Sequence, residues 1–173
     1  MSDPDEYIAL VTSLPSSERL FVAKQPPLTR LRLNRRLSAL APDHARTLAL
    51  VERLLSWSAY DMTDDTGVAI ARAKAALQDV VQPTLRAIVH ERMELRTVIA
   101  ALRLRAHGEG PPAEPWGFGR WTRHITRNWT DPSFRLDRPM PWLREAATLI
   151  AGNDPLELER YILGVTFKQL QRH

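Results

Sequence analysis

The stretch "HERMELRTVIAALRLRAHG", residues 90–108, opens with His90, Glu91 and Glu94, residue types that hold metals and move protons. Spaced three or four apart on a helix they share one face, so a zinc or carboxylate-bridged metal site is the chemistry to weigh first. A zincin helix needs a second histidine four positions after the first. Position 94 is Glu, and the next histidine, His107, stands about five helical turns on. Carboxylate-bridged bundles need a Glu-x-x-His pair on two helices, and no Glu of this chain has His three residues later. No metal site and no cofactor are therefore expected.

Electrostatics account for the same residues better. Glu91 and Glu94 come early and Arg103 and Arg105 late, which complements the helix dipole. Arg92 and Arg96 form a like-charge pair four apart, unfavourable unless acids on another helix or a partner meet it. The stretch is thus expected to make contacts and not to catalyse. Glu91, Arg92, Glu94, Arg96, Arg103 and Arg105 form the expected partner-binding face, and Leu95, Val98, Ile99 and Leu102 the buried one.

Other chemistries find less support. "GFG" follows a tryptophan and no Gly-Lys-Ser/Thr occurs, so no phosphate loop is present. Ser13, Ser16 and Ser17 lack a nucleophile-elbow context. A triad of residues distant in sequence stays open on spacing alone, and a hydrolase with an unrecognised site is the least favoured reading. In "WGFGRWTRHITRNW", Arg120, Arg123 and Arg127 lie three and four apart and interleave with Trp116, Trp121 and Trp129. Arginines and aromatic rings together can stack bases, so a basic helical RNA- or DNA-binding protein is the alternative. Against it, Trp121, Ile125 and Trp129 recur every four residues, the ordinary spacing of a buried stripe.

The elements that carry these residues read as helices. A chain of 173 residues, 44% apolar and 25% charged, is long enough for a real core and too apolar for wholesale disorder. There is no cysteine, which excludes disulfides and thiolate ligands and fits a reducing compartment. The net charge of +4 rests on arginine, because only Lys24, Lys74 and Lys168 are lysines. Arginine tolerates interface burial and pairs bidentately with carboxylates. The acidic start lacks the basic region of a signal peptide, and no run approaches a membrane span. A cytoplasmic chain is expected, meeting a membrane only through a partner.

"YIALVTSLP" is the one strand candidate, rich in strand-forming types and closed by Pro15. The segment from Arg19 to Pro42 has six basic residues and no acid, and Thr29 caps a helix bearing Leu33, Leu37 and Leu40. A second helix follows Pro42. A third runs from Val68 to Val81, capped by Asp64 or Thr66, and Pro83 then imposes a kink or a break. Gly108 supplies a left-handed C-terminal cap for the opening stretch. "GEGPPAEP" reads as a linker. A Trp-rich helix, a proline-laced loop and two more helices follow, the last opening with Asp154, Pro155 and Glu157. The expected fold is mostly α, a multi-helix bundle with a short N-terminal strand. Residues 1–108 form its strand and bundle, 109–115 the linker, and 116–173 a helical segment packing on the first.

Four stretches together carry a resemblance: "YIALVTSLP", "PPLTRLRLNRRL", "ELRTVIAALRLRAHG" and "DPSFRLDRPMPWLREAATLIAGNDPLELERYI". The chain resembles a small uncharacterised bacterial family encoded beside the subunits of V-type (A/V-type) rotary ATPases. Its middle helix is similar to part of the C/d-type subunit, which couples the central stalk to the membrane ring. The resemblance implies a helical, non-catalytic accessory or assembly subunit. Its partners would be central-stalk or ring-associated ATPase subunits. It also implies further helical sequence after the last helix, and it supplies no catalytic residues.

Overall fold

The computed structural model describes residues 7–15, 27–56 and 66–173, and all regular elements among them are helices. The chain divides after Ala49 into two compact units.

In the first unit the expected strand is corrected. Ile8–Thr12 is a short helix, α1. Among the described residues no second strand exists to pair with it, so its backbone groups close on themselves. Thr12 and Ser13 reinforce the turn, their hydroxyls donating to the carbonyls of Ile8 and Leu10 at 2.7 Å each. The strand-forming side chains gain no core: Ile8 and Val11 stay exposed. Tyr7 anchors the turn instead, its hydroxyl 2.7 Å from His44 Nδ1 and accepting from the Ala41 N–H at 3.1 Å. Helix α2, Arg30–Leu37, starts on the Thr29 cap, whose hydroxyl accepts from the Arg32 N–H at 3.3 Å. Helix α3, Pro42–Leu55, begins with its proline in the first turn and carries on into the second unit.

The second unit is built around one long helix. Helix α4, Thr66–Gln78, ends before the proline, and α5, Pro83–Ala106, begins on it, so the expected discontinuity is a full break. Gln82 caps α5 by accepting from the Leu85 N–H at 3.1 Å. Arg86 ties the break together through the Val80 carbonyl at 2.9 Å. Of the two residues expected to cap α4, Asp64 lies outside the described residues. At the far end Gly108 takes φ +80, and Glu109 and Gly108 donate to the carbonyls of Leu104 and Arg105 at 3.0 and 2.9 Å. This is the six-to-one and five-to-two pattern of a Schellman cap.

Residues 109–121 lead to α6, Thr122–Arg127, and a loop leads on to α7, Leu143–Ala151, and α8, Pro155–Leu170. At the α7–α8 turn the left-handed residue is Asn153, φ +52, and Asp154 caps α8 by accepting from the Glu157 N–H at 3.0 Å. Helices α6, α7 and α8 all pack on α5. The four residues expected on its buried face, Leu95, Val98, Ile99 and Leu102, are each 5% exposed or less and join Ile125, Phe134, Leu136, Leu143, Ala146 and Leu158 in one core. A second cluster joins Val51 and Leu54 of α3 to Ala73, Leu77, Val80, Val89, Met93 and Phe118. Among the described residues no helix is long and apolar enough to cross a membrane.

Candidate interaction groove

The charged residues of α5 separate into those that serve the fold and those that face outward. Glu94 is buried, 8% exposed, and its Oε1 accepts from the Arg120 N–H at 2.8 Å. One turn on, Thr97 Oγ1 accepts from the Phe118 N–H at 2.9 Å. These two side chains clasp the "GFG" segment to the helix. The glycines are there because the backbone comes too close for a side chain: a Cβ on Gly119 would run into the Glu94 side chain, and one on Gly117 into the methyl of Thr97. Gly119 also holds φ +96, which L side chains rarely adopt.

Arg105, half-buried, likewise serves the fold. Its guanidinium donates to the carbonyls of Asp131 and Pro132 and lies 4.7 Å over the Phe134 ring. Burial pushes its pKa below the ordinary arginine value, opposed by the Asp131 charge. Asp131 in turn accepts from the N–H groups of Ser133 and Arg135 at 2.9 Å each, holding the left-handed Phe134 and Arg135 in place. Ser133 Oγ lies 2.6 Å from Asp137, which Arg144 pairs at 3.0 Å.

Glu91 sits 3.3 Å from His173 and His90 packs edge-on to the Phe118 ring at 5.1 Å. Among the described residues no three His, Asp or Glu side chains converge as a metal site would require.

Three arginines remain on one stripe of α5, spaced i, i+4 and i+11: Arg92, Arg96 and Arg103. Arg96 donates to the last carbonyls of α3, Leu54 at 3.5 Å and Leu55 at 3.4 Å, where the helix dipole favours a cation. Arg92 donates to the Thr166 hydroxyl of α8, which itself donates to the Ile162 carbonyl at 2.8 Å. Burial holds the Arg92 pKa below the ordinary arginine value. Arg103 is exposed. Between this stripe and α8 runs a groove of about 350 Å³ with an apolar floor of Leu95, Ile99, Leu158, Ile162 and Leu163. Glu159 also lines it.

On the opposite side of α8 lies a larger cleft of about 770 Å³, walled by Trp121, Trp142, Met140 and Tyr161. Its charges are largely spoken for. Glu157 pairs with Arg160 at 2.7 Å, Glu91 with His173, and Glu94 with the Arg120 backbone. Burial and the nearby Glu145 raise the Tyr161 pKa.

The arginines of the alternative reading are on the surface, but their aromatic neighbours are not free to stack bases. Arg120 lies over the Trp121 ring at 4.7 Å, Arg123 is 3.6 Å from Glu114, and Arg127 is exposed. Trp116 donates to Thr126 Oγ1 at 3.2 Å and Trp129 to the Glu109 carbonyl at 3.0 Å, and both pack against the core with Trp121.

Sequence spacing found the α5 wall of the groove and missed the α8 wall. Leu158, Glu159, Ile162 and Leu163 read as an ordinary amphipathic helix, and nothing in their spacing says which helix they oppose. The one available signal was the unexplained Arg92–Arg96 repulsion. Arg92 turns to the Thr166 hydroxyl of α8 and Arg96 toward the end of α3. No family model, curated protein or solved structure matches the chain.

Proposed function

We propose that the chain is a non-catalytic accessory or assembly subunit of a V-type rotary ATPase, working by protein–protein contact with central-stalk or ring-associated subunits. It acts in the cytoplasm and reaches the membrane ring only through those partners. The carrying observation is that the two longest stretches of the resemblance, 94–108 and 131–162, meet in one core. Leu95, Val98, Ile99 and Leu102 from the first pack with Phe134, Leu136, Leu143 and Leu158 from the second. Stretches that build one scaffold together fit a shared architecture better than coincidental local likeness does. On that scaffold the exposed arginine of α5 suited to a partner is Arg103.

The test is affinity capture of the tagged chain with co-produced ATPase subunits. A complex with a central-stalk or ring-associated subunit is expected, and Leu95→Asp, which places a carboxylate in the core, should abolish it by unfolding the chain. Recovery of none of these subunits by the folded wild type would overturn the reading.

A further inference from the structure

We propose that the first unit carries a surface that adsorbs to anionic phospholipid bilayers. The arginines of α2 meet the headgroup phosphates, and apolar side chains of α1 and α2 enter the layer beneath them. This goes beyond the ATPase reading and does not depend on it. It departs from the expectation of a membrane met only through a partner: the ring is still reached through subunits, the lipid beside it directly.

The apolar side chains of this unit stand on its outside. Helices α1 and α2 bury no residue, and Ile8, Val11 and Leu31 are 53%, 63% and 66% exposed. Leu14, just past α1, is exposed as well. Single exposed aliphatics are ordinary, but several on two adjoining short helices mark a surface that something covers. On α2, Leu33 and Leu37 lie half-buried one turn apart, and Leu31, Arg32 and Arg35 are exposed on the other side.

Charge selects what covers it. Helix α2 places Arg30, Arg32, Arg35 and Arg36 in eight residues, and neither helix carries an acid. Asp43, the one acid among the described residues of this unit, stands in the first turn of α3 and lies 3.8 Å from His44. Arg32 and Arg35 pair with no carboxylate among the described residues. Arg36 neighbours Arg32 on the helix and donates to the Ser13 carbonyl at the end of α1. That bond sets the apolar turn of α1 beside the arginine side of α2.

The mixture of the two decides between kinds of anion. A nucleic acid backbone offers phosphates and no hydrocarbon, which leaves Ile8, Val11 and Leu31 in water. An acidic partner helix is held by a groove, whereas these side chains project from helices of five and eight residues. An anionic bilayer offers both features at once, phosphates in a plane and hydrocarbon about 5–10 Å below. Arginine's long stem keeps its head among the phosphates while the aliphatic side chains go deeper.

The test is flotation of the full chain with vesicles of phosphatidylcholine containing about a third phosphatidylglycerol, and with pure phosphatidylcholine beside them. Binding to the anionic vesicles and little to the neutral ones is expected, weakening as salt rises from about 0.05 to 0.5 M. Arg32→Glu with Arg35→Glu should weaken it about tenfold or more, and Arg32→Lys with Arg35→Lys should keep most of it. Ile8→Ser with Val11→Ser should weaken it at low and high salt alike, because salt does not screen hydrocarbon burial. All four positions are exposed, so circular dichroism of each variant should match wild type.

Equal binding to neutral vesicles, or wild-type binding by the glutamate pair, overturns the proposal. So does wild-type binding by the serine pair, which would leave a charge effect alone. It also falls if oligouridine or a polyglutamate peptide binds with the same Arg32 and Arg35 dependence while the vesicles do not, since the surface is then a nucleic-acid or protein contact.

Discussion

Replacing Gly119 with alanine tests whether the "GFG" clasp holds the second unit together as described. Gly119 sits at φ +96, where an L side chain is strained by about 1–2 kcal/mol. The added methyl would also lie 2.7 Å from Glu94 Cδ, and closer still to Cγ and Oε1, so the Glu94 side chain must move. Moving it breaks the 2.8 Å bond from the Arg120 N–H, and leaving buried polar groups unpaired costs about 1–3 kcal/mol. Together these put Gly119→Ala at roughly 2–5 kcal/mol. For a chain of this size that is a fall in Tm of about 4–20 °C. Glu94→Ala alone should cost about 1–3 kcal/mol through the same lost bond. The double variant carries the sharper signature. With the Glu94 side chain gone, the new methyl has room, so only the backbone strain and one lost bond remain. The pair should be less destabilised than the two single changes predict, by the one bond counted twice, about 1–3 kcal/mol. Urea and thermal denaturation of the four proteins, followed by circular dichroism, give the cycle. A Gly119→Ala melt within about 2 °C of wild type, or additivity within about 0.5 kcal/mol, would refute the clasp.

Two further outcomes follow from the site residues. Hydrogen bonds from Arg135 and Ser133 hold the Asp131 carboxyl below its ordinary pKa, and those from Ser133 and Arg144 do the same for Asp137. A carboxyl depressed in the folded state binds fewer protons than in the unfolded one, so its stabilisation is present above the unfolded value of about 3.9 and is lost as pH falls below it. Asp131→Asn with Asp137→Asn should flatten the acid limb of stability below about pH 4, and a limb as steep as wild type would show that these bonds do not set it. For nucleic acid, only weak, steeply salt-dependent association with RNA or DNA is expected near physiological salt, because Trp116 and Trp129 are committed to the protein. Micromolar binding abolished by Arg123→Ala with Arg127→Ala, read by filter retention, would move that function to first place.

Much of the helical framework was legible because it depends on local rules. The Thr29 and Asp154 caps, the proline starts at Pro42 and Pro155, the interruption at Pro83 and the left-handed Gly108 are each decided within a few residues. The buried stripe of α5 was legible for the same reason: its period does not depend on what covers it. The N-terminal strand was misread because strand-forming types specify a strand only where a neighbour offers a ladder, and Tyr7 found His44 and Ala41 instead. The charged residues were the least legible. Glu94 and Arg105 carry the same charges as their exposed neighbours, yet each faces a backbone segment twenty or more residues away that needs a partner. No spacing within α5 contains that information. It lies in the approach of the "GFG" segment and the Asp131 turn.

The unequal anchoring of α8 has a consequence for its motions. Its first turn is fixed by the Asp154 cap and by Leu158, the one buried side chain of the helix, whereas its later turns are half-buried with a cleft on either side. The far end is held to α5 through side-chain tips, Arg92 to Thr166 and Glu91 to His173. Local opening free energy follows buried contact, so it drops past Phe167, where exposed residues return, and amide exchange should be fastest in the last turn. The groove floor lies against the slowly opening half, and Arg92 stands where the helix begins to loosen. An anion that drew Arg92 away from Thr166 would release the mobile end of α8 and leave its anchored end in place.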